Sequence, residues 1–272
     1  MATIVDRERT VKLLRREFEG LDELCGELTR DEWATPTCLP GWSVKDNLSH
    51  ITGTELMLDG EPAPDVDVAH LEHVNNDIAK FNELWVESMR PLPGDEVLAR
   101  FREVTARRLA VLEAMSQEEF DAESFTPAGP DSYGRFMRIR HFDCFLHEHD
   151  MREALGRADR PDADQLALVL DEVSTGLGFV VGKKAAMPQG ARVRISVTGP
   201  AERDLDVEVA ERAHLVERLD EEPTVQLTLP AMRFLRLAGG RQQAEPHIGS
   251  EITLGGDEEL ARRLASNLAF TI

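Results

Sequence analysis

The stretch GRFMRIRHFDCFLHEHDMREALG, residues 134–156, combines a helical pattern with polar side chains on one face. Its inward stripe begins with the apolar Phe136 and then turns polar at Asp143, His147 and Asp150. Residues four apart lie side by side on a helix, so Asp143 and His147 share one face. Burying a carboxylate and an imidazole without partners is costly. A cation bound between them would remove that cost, because both groups are good zinc ligands.

An earlier helix offers a third ligand. His50 lies on a stripe of small and polar residues, typical of a cavity wall, whose members are Ser43, Asn47, His50, Thr54 and Met57. Two other interpretations stay open on these residues alone. Asp143 and His147 can form a simple hydrogen-bonded pair or a solvated face, and His50 can be a buried histidine bonded to a neighbour.

Two further residues are candidates for roles at this site, and two nearby histidines are not. Asp150 is a candidate for orienting His147 as an outer partner. Lys80 is a candidate for binding an anionic substrate, with an ordinary surface lysine as the alternative. His141 and His149 point away from the stripe and are expected at the surface.

The order of patterns along the chain predicts two domains, 1–158 and 163–272. The first is expected to be helical, and the second to mix helices with strands. Helical spacing of apolar residues predicts helices over 5–28, 43–58, 69–89, 94–116 and 134–155, with a polar loop, FTPAGPDSYG, before the last. After Pro161 the alternating stretches RVRISVT, LDVEVA and TVQLTL predict strands between further helices. Ser43, with Asp46 three residues on, predicts a helix N-cap.

Composition narrows the class of protein. The 272 residues carry a formal net charge of −20, which disfavours nucleic-acid and anionic-membrane partners. The three cysteines are odd in number and form no CxxC motif, as expected for a reducing compartment. The N-terminus lacks an apolar signal-peptide core, and no apolar run reaches 18 residues. These features predict a cytoplasmic protein of undetermined oligomeric state.

Two segments together resemble the mycothiol-dependent maleylpyruvate isomerase family. LPGWSVKDNLSHI, residues 39–51, is similar to the segment that opens the second helix of that family's DinB-like four-helix bundle. RHFDCFLHEHDMREALG, residues 140–156, is similar to its second signature, an acidic residue four before a histidine. The resemblance implies an α+β multidomain protein: a four-helix bundle followed by a smaller, sterol-carrier-like domain. It also implies that His50, Asp143 and His147 bind a divalent metal, expected to be zinc. An aspartate replaces the glutamate that related enzymes can use.

The resemblance further implies mycothiol as the thiol cosubstrate. Two histidines and one carboxylate leave a coordination position open, which is typical of catalytic zinc. We expect a thiol activated there to attack a small electrophile, giving S-transfer or isomerisation. Two alternatives stay open: a non-catalytic protein that binds an apolar ligand, and a hydrolase that uses zinc-bound water. The family name does not fix the substrate.

Overall fold

The chain forms two compact units, one ending at Arg160 and the other beginning at Pro161. The computed structural model describes residues 2–271. The first unit is helical apart from one hairpin, whereas the second contains a five-stranded sheet with helices. The α+β, two-domain class predicted from the sequence is therefore confirmed.

The first unit is built on four long helices that pack around one core. Helix α1 packs against α7 and α5, and α3 packs against α5, α4 and α7. A short antiparallel hairpin, β1–β2, precedes α7. The elements are α1 Arg7–Cys25, α2 Arg30–Trp33, α3 Val44–Leu58, α4 Asp77–Met89, α5 Gly94–Ala114, α6 Gln117–Asp121, β1 Glu123–Thr126, β2 Gly129–Ser132 and α7 Tyr133–Ala154.

Close packing in this core fixes the positions of the helices whose polar side chains point into the unit. Phe18 and Phe101 meet edge to face, with ring centroids 5.8 Å apart. Gly53 lets α4 approach α3, because a Cβ atom there would lie 2.3 Å from Cβ of Trp85. Burial of such large apolar side chains stabilises the unit by roughly 2–3 kcal/mol each. Helix α3 is thereby held between α4, α5 and α7.

The start of α3 is fixed by its own sequence. The Ser43 hydroxyl accepts a hydrogen bond from the Asp46 amide, and the Asp46 carboxylate accepts one from the Ser43 amide at 2.8 Å. This reciprocal capping box confirms the predicted N-cap. Gly41, just before it, has φ +78°, a conformation that glycine adopts without strain. The PGW turn, residues 40–42, therefore leads directly into α3.

Two local predictions for this unit are wrong. The third helix was expected from residue 69, but α4 begins at Asp77, because the Asn76 side chain caps it by accepting from the Ala79 amide. The apolar residues before Asn76 keep helical spacing in a turn-rich segment, so spacing alone misplaces the boundary. The FTPAGPDSYG loop instead contains most of the β1–β2 hairpin, whose turn uses Gly129 at φ +99°.

The second unit is a mixed sheet with helices. The strand order is β5-β4-β3-β6-β7, and all neighbours are antiparallel except β3 and β6. Its elements are α8 Ala163–Ser174, α9 Leu177–Phe179 with a π-helical turn Val180–Lys184, β3 Arg192–Thr198, β4 Arg203–Val209, β5 Ala213–Val216, β6 Val225–Pro230, α10 Ala231–Ala238, a 3₁₀ turn Glu245–His247, β7 Thr253–Gly256 and α11 Glu258–Ala265.

The long strands were predictable and the short ones were not. In β3, Val193, Ile195 and Val197 are buried and alternate with half-buried residues, which is the period-2 pattern. The edge strands β5 and β7 have only four residues each and bury none fully, so they carry no such alternation.

Within residues 2–271, no single helix is long and apolar enough to cross a membrane. Helix α8 and the segment Leu177–Lys184 reach that length and composition only jointly, across a 47° bend.

Candidate metal centre

Helices α3 and α7 bring His50, Asp143 and His147 together. One candidate ligand atom from each residue lies within 4.8 Å of those of the other two. Both histidines are buried, whereas the Asp143 side chain keeps 29% of its surface exposed. The structure thus joins two residues of one helix with a third that is 93 positions earlier in the chain. It places all three candidate ligands at one point.

The distances within the cluster suit a single small cation. Nε2 of His50 lies 3.1 Å from Oδ2 of Asp143, and Nε2 of His147 lies 3.4 Å from Oδ1. Two ligand atoms that are each about 2.1 Å from a tetrahedral zinc ion are about 3.4 Å apart. The residues present therefore fit a divalent metal in both donor type and spacing.

The orientation of His147 is fixed through its other ring nitrogen. Nδ1 of His147 lies 2.8 Å from Oδ1 of Asn47. The Asn47 amide nitrogen donates to the Ser43 carbonyl at 2.9 Å and to the Thr37 hydroxyl at 3.2 Å, which sets the amide orientation. Because Oδ1 can only accept, Nδ1 of His147 carries hydrogen. Nε2 is therefore the nitrogen directed at Asp143.

The pKa values of the three side chains in the cluster are shifted in different directions. Burial alone would raise the pKa of Asp143, but His50, Arg140 and His147 hold that pKa well below its usual range. Burial lowers the pKa of His50 despite the nearby carboxylate. Burial also opposes the charged form of His147, yet Asp143 and Asp150 raise its pKa overall. Without a metal, these shifts favour an ionised Asp143, a neutral His50 and a protonated His147, and a cation at Nε2 of His147 would compete with that proton.

A buried chain of charges supports Asp143 from one side. Arg140 donates to the Asp143 carboxylate through Nη1 and to Glu55 through Nε, the latter at 3.0 Å. Glu55 also pairs with Arg108 at 3.4 Å, and Arg108 donates to the Tyr133 hydroxyl at 2.6 Å. No local sequence pattern indicates this network of ion pairs. Glu55 and Arg108 carry no pattern that marks a buried ion pair, although Arg140, three residues before Asp143, was a detectable neighbour.

The indole of Trp42 lies over both histidines. Its ring centroid is 5.2 Å from that of His50 and 5.8 Å from that of His147. The indole nitrogen donates to Oε1 of Glu83, a buried carboxylate on α4 that also bonds Nε2 of His73 at 2.6 Å. The PGW turn thus contributes a wall of the site, and α4 holds that wall through Glu83.

Asp150 and Lys80 have different surroundings. Asp150 is buried, with Oδ2 at 3.3 Å from Nδ1 of His147, where it can orient that ring. Lys80 is exposed on α4, and within residues 2–271 no hydrogen bond or ion pair joins its side chain to the cluster. The predicted surface positions of His141 and His149 are wrong, since both are buried. Helix α7 is buried on nearly every face, which the mixed polarity of its sequence conceals.

A groove of about 1280 Å³ opens beside the site within the first unit. Trp42 lines it on the side of the two histidines, and Cys38, Lys45 and Arg90 also contribute. The thiol of Cys38 lies 3.4 Å from Oδ1 of Asp150. The same segment that caps α3 therefore forms one wall of the His–Asp–His cluster and one wall of the groove.

Fold and site together define a two-unit protein with a His–Asp–His cluster between two long helices of its first unit. The model of the mycothiol maleylpyruvate isomerase N-terminal domain matches residues 14–152, and that of the corresponding C-terminal domain matches residues 167–263. The chain therefore belongs to the mycothiol-dependent maleylpyruvate isomerase family of enzymes, as the two sequence segments indicated.

Solved structures show the same fold. A crystal structure of the mycothiol-dependent maleylpyruvate isomerase is 14% identical in sequence, with a TM-score of 0.61 over 94% of this chain and 96% of that one. A histidine-to-alanine variant of that isomerase is 15% identical, with a TM-score of 0.59 and the same coverage. At this identity the likeness concerns the fold. Among curated proteins, no significant match to the sequence was found.

Proposed function

We propose that the chain is a zinc-dependent enzyme that activates a low-molecular-weight thiol, mycothiol, for reaction with a small electrophile. The observation that carries this proposal is the His50–Asp143–His147 cluster in a member of a thiol-dependent isomerase family. Nitrogen and carboxylate donors suit zinc among the biological divalent ions. A metal bound by these three residues would supply Lewis acidity and lower the pKa of a coordinated thiol.

The chain's own residues perform the remaining tasks. Asn47 and Asp150 hold the His147 ring with Nε2 directed at Asp143, where that nitrogen would bind a metal ion. Trp42 covers both imidazoles and limits access of water from its side. Low exposure of the histidines keeps the site in a low-dielectric setting, where charge interactions are stronger than in water. These contacts support a preorganised site.

The substrate is proposed only as a class, a small electrophile open to attack by a thiolate. Such a reaction gives an S-transfer product if the adduct is stable, or an isomer if the thiol leaves again. Lys80 stays a candidate contact for an anionic substrate. The cytoplasmic location also stays a prediction; Cys25, Cys38 and Cys144 are free thiols in the structure.

An assay with the zinc-loaded protein tests this function. Maleylpyruvate and a panel of small electrophiles are each incubated with mycothiol, with glutathione, or without thiol, and products are followed by absorbance and mass spectrometry. We expect turnover that requires both zinc and mycothiol. Turnover without any thiol would indicate a hydrolase instead. No turnover, together with binding of an apolar probe, would indicate a binding protein.

A further inference from the structure

Arg140 contacts Asp143, the acidic residue of the cluster, and all three nitrogens of its guanidinium group have partners. Nη1 donates to Oδ2 of Asp143, Nε donates to Oε1 of Glu55 at 3.0 Å, and Nη2 lies 3.5 Å from Sγ of Cys144. Only 4% of the Arg140 side chain is exposed, and Glu55 is fully buried. Each nitrogen of the guanidinium therefore has a defined partner.

The shape of this contact requires arginine. Glu55 belongs to α3 and Asp143 to α7, so one planar guanidinium links the two helices that supply the cluster. A lysine ammonium has the same charge but is compact, and it cannot reproduce the fixed fork of arginine. The two carboxylates also offset the desolvation of Arg140, which would otherwise be costly. The contact is thus oriented, and with Arg108 on Glu55 the network balances two guanidinium groups against two carboxylates.

We propose that Arg140 is the positioning residue of Asp143: anchored by Glu55, it holds Oδ2 and so fixes the carboxylate in the orientation that both histidines meet. Oδ1 lies 3.4 Å from Nε2 of His147, and Oδ2, which Arg140 also contacts, lies 3.1 Å from Nε2 of His50. This inference rests on the metal site proposed above. It adds that the coordination of the ion depends on a buried arginine that does not bind the ion itself.

Arg108 provides a matched control in the same buried network. It contacts the same Glu55, at 3.4 Å from Oε2, and its side chain is 3% exposed. Its Nη2 donates to the Tyr133 hydroxyl at 2.6 Å, and in the described part of the chain it makes no hydrogen bond or ion pair with His50, Asp143 or His147. An Arg-to-Lys change at either position therefore perturbs the same ion-pair network at the same depth. Only the change at position 140 alters a contact of Asp143.

Cobalt(II) binding to the full chain tests the proposal. Wild type, Arg140→Lys and Arg108→Lys are titrated with Co²⁺ alone against a chromogenic chelator, and the visible spectrum of the bound cobalt reports its coordination. We expect Arg140→Lys to bind Co²⁺ about 10- to 100-fold more weakly, the usual range for loss of an outer partner. Its spectrum should also differ from that of wild type. Arg108→Lys should bind within about twofold of wild type with an unchanged spectrum.

Several results would overturn the proposal. Wild-type affinity and spectrum in Arg140→Lys would show that Arg140 does not position Asp143. Equal changes in both lysine variants would assign the effect to the buried network as a whole. If Arg140→Lys fails to fold, Arg140→Gln takes its place with the same expected spectral change, because Arg108 still pairs with Glu55 in that variant. Wild type that binds no cobalt would overturn the proposed metal site, and the inference with it.

Discussion

Oδ1 of Asn47 lies 2.8 Å from Nδ1 of His147, so an amide on α3 sets the tautomer of an imidazole on α7. The Ser43 carbonyl fixes that amide, and Ser43 also caps α3. The signature segment therefore does two things: it starts the helix that carries His50, and it orients the partner histidine. An outer contact of this kind fixes the ring and its basicity in metal sites.

Replacement of Asn47 should weaken metal binding without removing a ligand. In Asn47→Leu, the Nδ1 hydrogen of His147 loses its 2.8 Å acceptor, and Asp150 at 3.3 Å compensates only in part. We expect zinc affinity to fall about 10-fold to 100-fold. Asn47→Asp keeps an acceptor oxygen and should lose less. Chelator competition measures both, and equal affinity of Asn47→Leu and wild type would contradict this role.

Glu83 should stabilise the first unit by holding Trp42 and His73. Glu83→Leu leaves the indole N–H of Trp42 without its acceptor and removes the 2.6 Å bond to His73. A buried donor left without a partner costs about 1–3 kcal/mol. We expect the free energy of unfolding, measured in urea, to fall by about that amount. Glu87→Leu, on the same helix but half-buried, is the control and should cost less. Equal losses would argue against a specific role for Glu83.

Glu17 should make stability depend on pH. Burial, and next the carboxylate of Glu148, raise the pKa of Glu17 well above its ordinary value of 4.5. The folded state therefore holds a proton that the unfolded chain releases, and this stability, complete below about pH 4.5, is lost as pH rises through the folded pKa. Glu17→Gln has no proton to lose. We expect its melting temperature to exceed that of wild type by a margin that grows from pH 5 to pH 8.

The control for this series is Glu19→Gln, an exposed residue of the same helix. It makes the same Glu-to-Gln change without touching the buried pair of Glu17 and Glu148. Its melting temperature should follow that of wild type across the pH range. A margin for Glu17→Gln that stays constant with pH would show that Glu17 is ionised in the folded protein.

Sequence patterns revealed the part of the site that follows helical periodicity. Asp143 and His147 are four apart on one face, and His50 lies on a polar stripe of a capped helix, so each has a local signature. Arg140 and Glu55 are linked only through the packing of α7 on α3, and nothing local indicates that link. Long-range partners of this kind depend on side-chain directions that spacing does not specify.

The elements of the fold likewise divide into those that local sequence patterns predict and those that they do not. The alternating strand β3 was predicted with its observed bounds, because burial on one face imposes period 2. The start of α4 was misplaced, because the cap at Asn76 competes with apolar residues that still keep helical spacing. The burial of His141 and His149 was missed for a related reason. A helix covered on nearly every side no longer shows a polar outer face.

Metal content of the purified full chain shows whether His50, Asp143 and His147 bind zinc. Wild type, His147→Ala and His149→Ala are loaded with zinc, desalted and analysed by elemental mass spectrometry. His149 is a buried histidine of the same helix, but it bonds the Phe145 carbonyl and is outside the cluster. We predict about one zinc per chain in wild type and in His149→Ala, and almost none in His147→Ala. Wild type without stoichiometric zinc, or His147→Ala that retains it, would contradict the account.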